Sequence, residues 1–175
     1  VNDVLDYNKM ESGKIVFEQT QFNFNDFLEE IMRSYSFRSK AKNLDFKINQ
    51  EGDLPEEVIG DQIRLNQILS NLLSNALKFT NQGGITVTIS EIERKEGKSQ
   101  MEFSVRDTGI GIPDEDKDRI FERFYRVDKG RSGEITGAGL GLSIVKHIVN
   151  LYGGNIKVID NLNSGTEFTI YLPLL

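Results

Sequence analysis

The stretch DQIRLNQILSNLLSNALKFT, residues 61–80, carries two patterns on one segment. Leu65, Ile68, Leu69, Leu72, Leu73, Ala76 and Leu77 recur at the three- and four-residue spacing of a helix. Asp61 suits the N-cap, and Asn81 to Gly84 end the run. The spacing therefore predicts an amphipathic helix with a wide apolar stripe. Asn71, Asn75 and Lys78 share a second face, roughly 140° from the centre of that stripe. Each of the three, taken singly, reads as part of a solvated surface. Asparagine is a mediocre helix former, however, and plain exposed faces more often carry Glu, Lys or Arg. Two asparagines one turn apart point to the wall of a polar site. An asparagine carbonyl is a suitable hard ligand for Mg²⁺, and a lysine reaches phosphate as a point charge.

The flanks alternate as strands do. ITVTISEIE (85–93) and QMEFSVRD (100–107) predict a hairpin across a charged loop. LDFKIN (44–49) predicts another strand, with a very short extended piece inside GDLPEEVIGD. Further towards the N-terminus, Asn25 is the expected cap of a helix bearing Phe27, Leu28, Ile31, Met32 and Tyr35. Before it lie a strand-like IVFEQTQF (15–22) and the last turns of a helix over residues 1–12, with Gly13 as its stop. Beyond residue 107, Pro113 suits the start of a short helix near 114–120. FERFYRVDKGRSGEITGAG is long enough for a mobile lid, with Phe121 and Phe124 as its core anchors. A second amphipathic helix is expected over 139–152, carrying Ile144, Val145, Ile148, Val149 and Tyr152 on one face. NIKVID and TEFTIYLP close the chain as a hairpin across NLNSG. This order predicts an α+β fold: a mixed, largely antiparallel sheet covered by helices on one face.

Two further stretches carry chemistry. Asp107-Thr108-Gly109-Ile110-Gly111 is, by itself, a common turn with an Asx bond. It also offers a pure acceptor for an exocyclic amine, and glycines that let backbone pass close to a planar base. Gly137-Ala138-Gly139-Leu140-Gly141-Leu142 enters a helix with free N–H groups and the positive end of the dipole, which suits phosphate. A flexible loop entering a helix is the plainer reading of that motif alone. It matches neither the dinucleotide-binding fingerprint nor the P-loop. His147, the single histidine, falls mid-helix and reads as structural or surface-facing.

Bulk composition narrows the classes. The 175 residues are 38% hydrophobic with 16 glycines, which is ordinary for one globular domain. A net charge of −6 gives no basic footprint for nucleic acid. With no cysteine, disulfide scaffolds, thiolate metal sites and cysteine nucleophiles are excluded. The apolar runs fall short of the roughly 20 residues of a membrane helix.

Taken together the motifs resemble a known family. NQILSNLLSNALKFT resembles the N box of two-component sensor histidine kinases, and DTGIGIP their G1 box. FERFYR resembles the F box, GAGLGLSIVKHIV the G2 box, and Ser164-Gly165-Thr166 the last glycine–threonine element. All stand in family order over residues 61–175, and LDYNKMESGKI resembles the end of a dimerisation helix with its linker. The resemblance implies a Bergerat-type α/β sandwich over 21–175, with 1–20 as helix end and linker. It implies that Asn75 binds Mg²⁺ with Asn71 beside it, and that Lys78 faces the phosphates. Asp107 would hold the adenine amine, with Gly109, Gly111 and Ile112 around it and Thr166 near the base. Gly139, Leu140, Gly141 and Leu142 would line the phosphates. Ala138 stands where threonine is frequent, which leaves the glycine pattern intact.

The implied activity is transfer of the γ-phosphoryl group of Mg·ATP to a histidine, with Asn71 and Lys78 in the catalytic set. That phosphoacceptor lies upstream in the family, on a dimerisation domain that these residues do not contain. The implied partners are that domain, a response regulator receiver domain and a second copy in the full-length homodimer. The implied location is cytoplasmic, with any membrane anchor outside this stretch. Two other readings stay open. Gyrase-type and mismatch-repair ATPases share the asparagine motif but carry a glutamate one turn earlier to activate water, where this chain has Asn71. A nucleotide-binding docking module without phosphotransfer is the other.

Overall fold

The computed structural model describes residues 4–5, 8–9, 12–13, 16–127, 137–162 and 164–175. The strands are β1 (Thr20–Asn23), β2 (Asp45–Glu51), β3 (Glu57–Gly60), β4 (Gly84–Lys95), β5 (Lys98–Asp107), β6 (Asn155–Asp160) and β7 (Thr166–Leu174). The helices are α1 (Phe24–Ala41), α2 (Gln62–Phe79), α3 (Asp114–Lys117) and α4 (Gly141–Leu151).

A five-stranded sheet has the order β2-β4-β5-β7-β6. β2 runs parallel to β4 and the other pairs are antiparallel, as the strand order in the sequence anticipates. Strand alternation puts one apolar face on this sheet. Ile85, Val87 and Ile89 of β4, Met101, Phe103 and Val105 of β5, and Phe168, Ile170 and Leu172 of β7 are all buried on it. α1 and α4 each pack against the central α2, and all three helices pack against the sheet, forming the second layer. A small antiparallel pair, β1 with β3, sits beside it. Ile59 exchanges backbone hydrogen bonds with Leu175, at 2.7 and 3.3 Å, which pins the C-terminal residue to β3.

α2 is the central helix. The seven apolar residues of its stripe are all buried. Each such leucine or isoleucine is worth roughly 1.5–3 kcal/mol relative to an exposed one. Asp61 caps it as the sequence suggests, accepting from Arg64 N–H at 3.0 Å. Two carbonyls at its C-terminal end are satisfied by the residue that follows α1: Lys42 Nζ donates to Leu77 O, and to Thr80 O at 3.2 Å.

Several boundaries differ from the sequence reading. α1 is capped by Asn23, which accepts from Asp26 N–H at 2.9 Å, and not by Asn25. The earlier cap lets Phe24 enter the core in the first turn, and it is fully buried. Of the strand expected over 15–22, the described residues form only β1, paired to β3. α4 starts at Gly141, two residues later than expected, because Gly139 takes φ +72° and cannot join a right-handed helix. The short helix after Pro113 spans only Asp114–Lys117. Phe124 is exposed, with φ +59°, while Phe121 packs on the core edge-to-face with Phe168. Much of the helix end expected over 1–12, and residues 128–136 of the lid expected over 121–139, lie outside the described residues.

Candidate active site

A cavity of about 370 Å³ lies between α2, the ends of β5 and β7, the turn after β5, and the segment leading into α4. That volume is in the range of small-molecule sites, roughly 300–1,000 Å³. Asn71, Asn75, Lys78, Asp107, Gly111, Ile112, Gly139, Leu140, Gly141, Leu142 and Thr166 all line it. Gly109 is the one anticipated residue that does not. It lies behind Asp107 and donates its N–H to Asp107 Oδ1 at 2.8 Å.

The position of Asp107 follows from strand alternation. Phe103 and Val105 point to the buried face of β5, so Asp107, two residues on, points there too. It sits where the sheet ends and the cavity begins, 7% exposed. Its Oδ1 accepts from Gly109 N–H and, at 3.3 Å, from Thr166 N–H, while Oδ2 accepts nothing from the described residues. Burial pushes its carboxyl above the ordinary carboxylate range, and the two backbone N–H groups only partly oppose this. The result is a buried acceptor with one oxygen left for a ligand.

The turn around it is fixed by close approach. A Cβ on Gly109 would stand 2.4 Å from Phe79 O, and one on Gly165 would stand 2.1 Å from Asp107 O. Ser164 Oγ donates to Gly109 O at 2.7 Å and Asn161 Nδ2 to Asp107 O at 2.9 Å. The β6–β7 connection thus braces the β5 turn.

The glycine segment faces α2. A Cβ on Gly141 would come 3.4 Å from Asn71 Oδ1, and one on Gly137 would come 2.9 Å from Lys78 Nζ. Burial, and next the charge of Arg126, lower the Lys78 pKa from the usual lysine range. Arg126 also lines the cavity; Arg123 does not. Gly139 O accepts from Phe124 N–H at 3.0 Å, which straps the segment to residues 121–125. On that rim Tyr125 donates to Asp116, and the Arg119 guanidinium lies 4.2 Å from its ring centre. The site thus combines a buried carboxylate acceptor on the sheet side with cationic side chains, asparagine amides and close-packed glycines on the helix side. That set suits a ligand bearing an amine donor and an anionic chain.

Ser74, Ile110, Tyr125 and Val127 line the cavity without having been anticipated. Ser74 had a signal: with Asn71, Asn75 and Lys78 it completes an i, i+3, i+4, i+7 face of α2. Tyr125 and Val127 come from irregular backbone, for which periodicity gives no guide. His147 is half-buried on α4 and does not line the cavity.

This fold and this site define a class. Residues 60–175 match the family of histidine kinase-, DNA gyrase B- and HSP90-like ATPases, and the chain belongs to it. Within that class, the chain is 39% identical over 174 residues to the signal transduction histidine-protein kinase BarA of Escherichia coli, a match covering 99% of this chain and 19% of that protein. The sensor histidine kinase GacS of Pseudomonas protegens is 37% identical over 174 residues, with the same coverage of 99% and 19%. The chain therefore spans about a fifth of these relatives' length. The crystal structure of full-length ShkA in complex with AMPPNP superposes with a TM-score of 0.81 at 31% identity, covering 99% of this chain and 35% of that one. The nucleotide-free catalytic domain of histidine kinase ThkA superposes at 0.67 with 30% identity, covering 89% of this chain and 95% of that one.

Proposed function

We propose that this chain binds Mg·ATP in the cavity and transfers the γ-phosphoryl group to a histidine on a dimerisation domain, which then supplies a response regulator receiver domain. The observation that carries the reading is Asp107: a buried carboxylate whose Oδ2 has no partner among the described residues, in a cavity that also holds Asn71, Asn75, Lys78 and the glycine segment. Oδ2 accepts the exocyclic amine of adenine. Thr166, Gly111 and Ile112 form the walls beside the base. Lys78 and the segment Gly139–Leu142 hold the phosphates by charge and by close backbone approach.

Among the described residues no group of three His, Cys, Asp or Glu side chains could hold a metal ion. The amide oxygens of Asn71 and Asn75 nonetheless suit Mg²⁺, which takes one or two protein oxygens together with phosphate oxygens. When bound, Mg²⁺ neutralises charge on the phosphates. Transfer breaks the bond between the γ-phosphorus and the bridging oxygen to the β-phosphate, and forms a phosphorus–nitrogen bond to imidazole. ADP leaves, and the imidazole loses its N–H proton. The chain's contribution is positioning and electrostatic stabilisation. Asn71 cannot take a proton from water, which favours transfer over hydrolysis. Among the described residues no helix is long and apolar enough to cross a membrane.

The test supplies γ-labelled Mg·ATP with a separate histidine-bearing dimerisation domain of a relative. Acid-labile label on that histidine, with little free phosphate, is expected. Phosphate release without transfer would move the chain to the hydrolysing class. Binding without either would leave a docking module.

A further inference from the structure

Away from the cavity, three parts of the chain meet at Asp61. Its carboxylate, in a residue only 4% exposed, does more than cap α2. Oδ1 accepts from Arg64 N–H at 3.0 Å, which completes the cap. Oδ2 accepts from Glu18 N–H at 3.2 Å, from the segment that precedes β1. The backbone of Asp61 is held as well. Tyr152 Oη accepts from Asp61 N–H at 2.9 Å and donates to Asp61 O at 2.9 Å. Phe17 packs edge-to-face on the Tyr152 ring, with centroids 4.7 Å apart. A serine or threonine would cap α2 with less desolvation than a buried carboxylate. The second oxygen has its own use, on Glu18.

Asp61 begins α2, and Tyr152 ends α4. The opposite parts of the same two helices form the cavity, where Gly141 faces Asn71. Asp61 and Asn71 are ten residues apart, and Tyr152 and Gly141 eleven, so each helix spans about 15 Å between the two places. Two stiff, packed helices are thus tied together at one end by Asp61 and Tyr152. At the other end they flank the space a ligand would fill. A ligand held by Asn75 and Lys78 on α2 and by the glycines before α4 restricts the same relative motion that the tie restricts.

We propose that Asp61 and Tyr152 are positioning residues that couple docking of residues 16–19 to occupancy of the nucleotide cavity, an inference that rests on the nucleotide reading above. Occupancy steadies the two helices, and that steadies the seat for Phe17 and Glu18. By reciprocity, a docked segment raises nucleotide affinity by the same factor. The position of the chain entering the domain is thereby felt at the site.

The experiment follows hydrogen exchange at the Glu18 N–H, with and without saturating Mg·ATP, while calorimetry measures binding on the same samples. In the wild type, nucleotide slows exchange at Glu18 by about fivefold, the low end of ordinary coupling factors. Tyr152→Phe keeps the ring under Phe17 but removes both hydrogen bonds to Asp61. It brings the ratio close to one and weakens Mg·ATP by a similar factor. Phe17→Ala leaves the Asp61–Tyr152 tie intact and speeds Glu18 exchange in both states, guarding against a Tyr152→Phe variant that fails to fold. A tie that merely stabilised the fold would alter exchange equally with and without nucleotide. Binding heat with unchanged exchange at Glu18 overturns the coupling alone, as does full coupling in Tyr152→Phe. No binding heat overturns both the coupling and the nucleotide reading.

Discussion

Replacing Asp107 with asparagine should move binding and stability in opposite directions. The asparagine carbonyl can keep the two N–H donors of Gly109 and Thr166 that now converge on Oδ1. Its NH₂ then occupies the place of Oδ2 and meets the amine of adenine donor to donor. The loss of one charge-assisted hydrogen bond is about 1.5–3 kcal/mol, or roughly a tenfold to hundredfold rise in Kd for Mg·ATP. Stability should respond the other way. Burial raises the Asp107 pKa, so the ionised carboxylate costs stability at neutral pH. That cost fades as pH falls through the raised folded value, and it is gone below the unfolded value of about 3.9. Asp107→Asn should therefore be at least as stable as the wild type at pH 7, with the difference closing in acid. Wild-type affinity should also fall on acidification sooner than an ordinary carboxylate would dictate, while the asparagine variant stays flat. Calorimetry across pH, paired with thermal unfolding, reads all three. A folded variant that binds Mg·ATP like the wild type would refute the assignment of Asp107.

Gly165→Ala places a Cβ 2.1 Å from Asp107 O at φ +93°, so we expect about 2–4 kcal/mol of destabilisation in denaturant unfolding, with weaker nucleotide binding. Burial pushes the Tyr152 pKa up to about 12. The unfolded phenol ionises near 10, so stability should fall as pH rises from about 10 towards 12. Tyr152→Phe should remove that part of the alkaline profile, and an unchanged profile would show that the phenol is not held neutral. Leu69→Ala empties a fully buried site on α2 and should cost about 2–5 kcal/mol in urea unfolding with little change in slope. A cost below 1 kcal/mol would mean the helix repacks freely.

The regular elements were legible because periodicity reports burial directly. The stripe of α2, the alternation of β4, β5 and β7, and the mixed sheet all follow from which residues must leave water. The residues that the motif resemblance singled out on α2, after β5 and before α4 nearly all line one cavity. Ser74 was within reach of the same rule and was missed. The errors fall at element ends, where a single dihedral decides. Gly139 at φ +72° delays α4, and Asn23 in place of Asn25 admits Phe24 to the core.

Sequence by itself determined which residues offer an acceptor, a cation or close backbone approach, and which faces must be buried, because these depend on residue type and local spacing. Tertiary structure alone decided that Gly109 supports Asp107 from behind, that Phe121 and not Phe124 anchors the rim, and that Glu18, Asp61 and Tyr152 meet. Asp61 and Tyr152 are 91 residues apart in the chain. Contacts of that range arise from how whole helices pack on the sheet, and no local pattern of residue types encodes them.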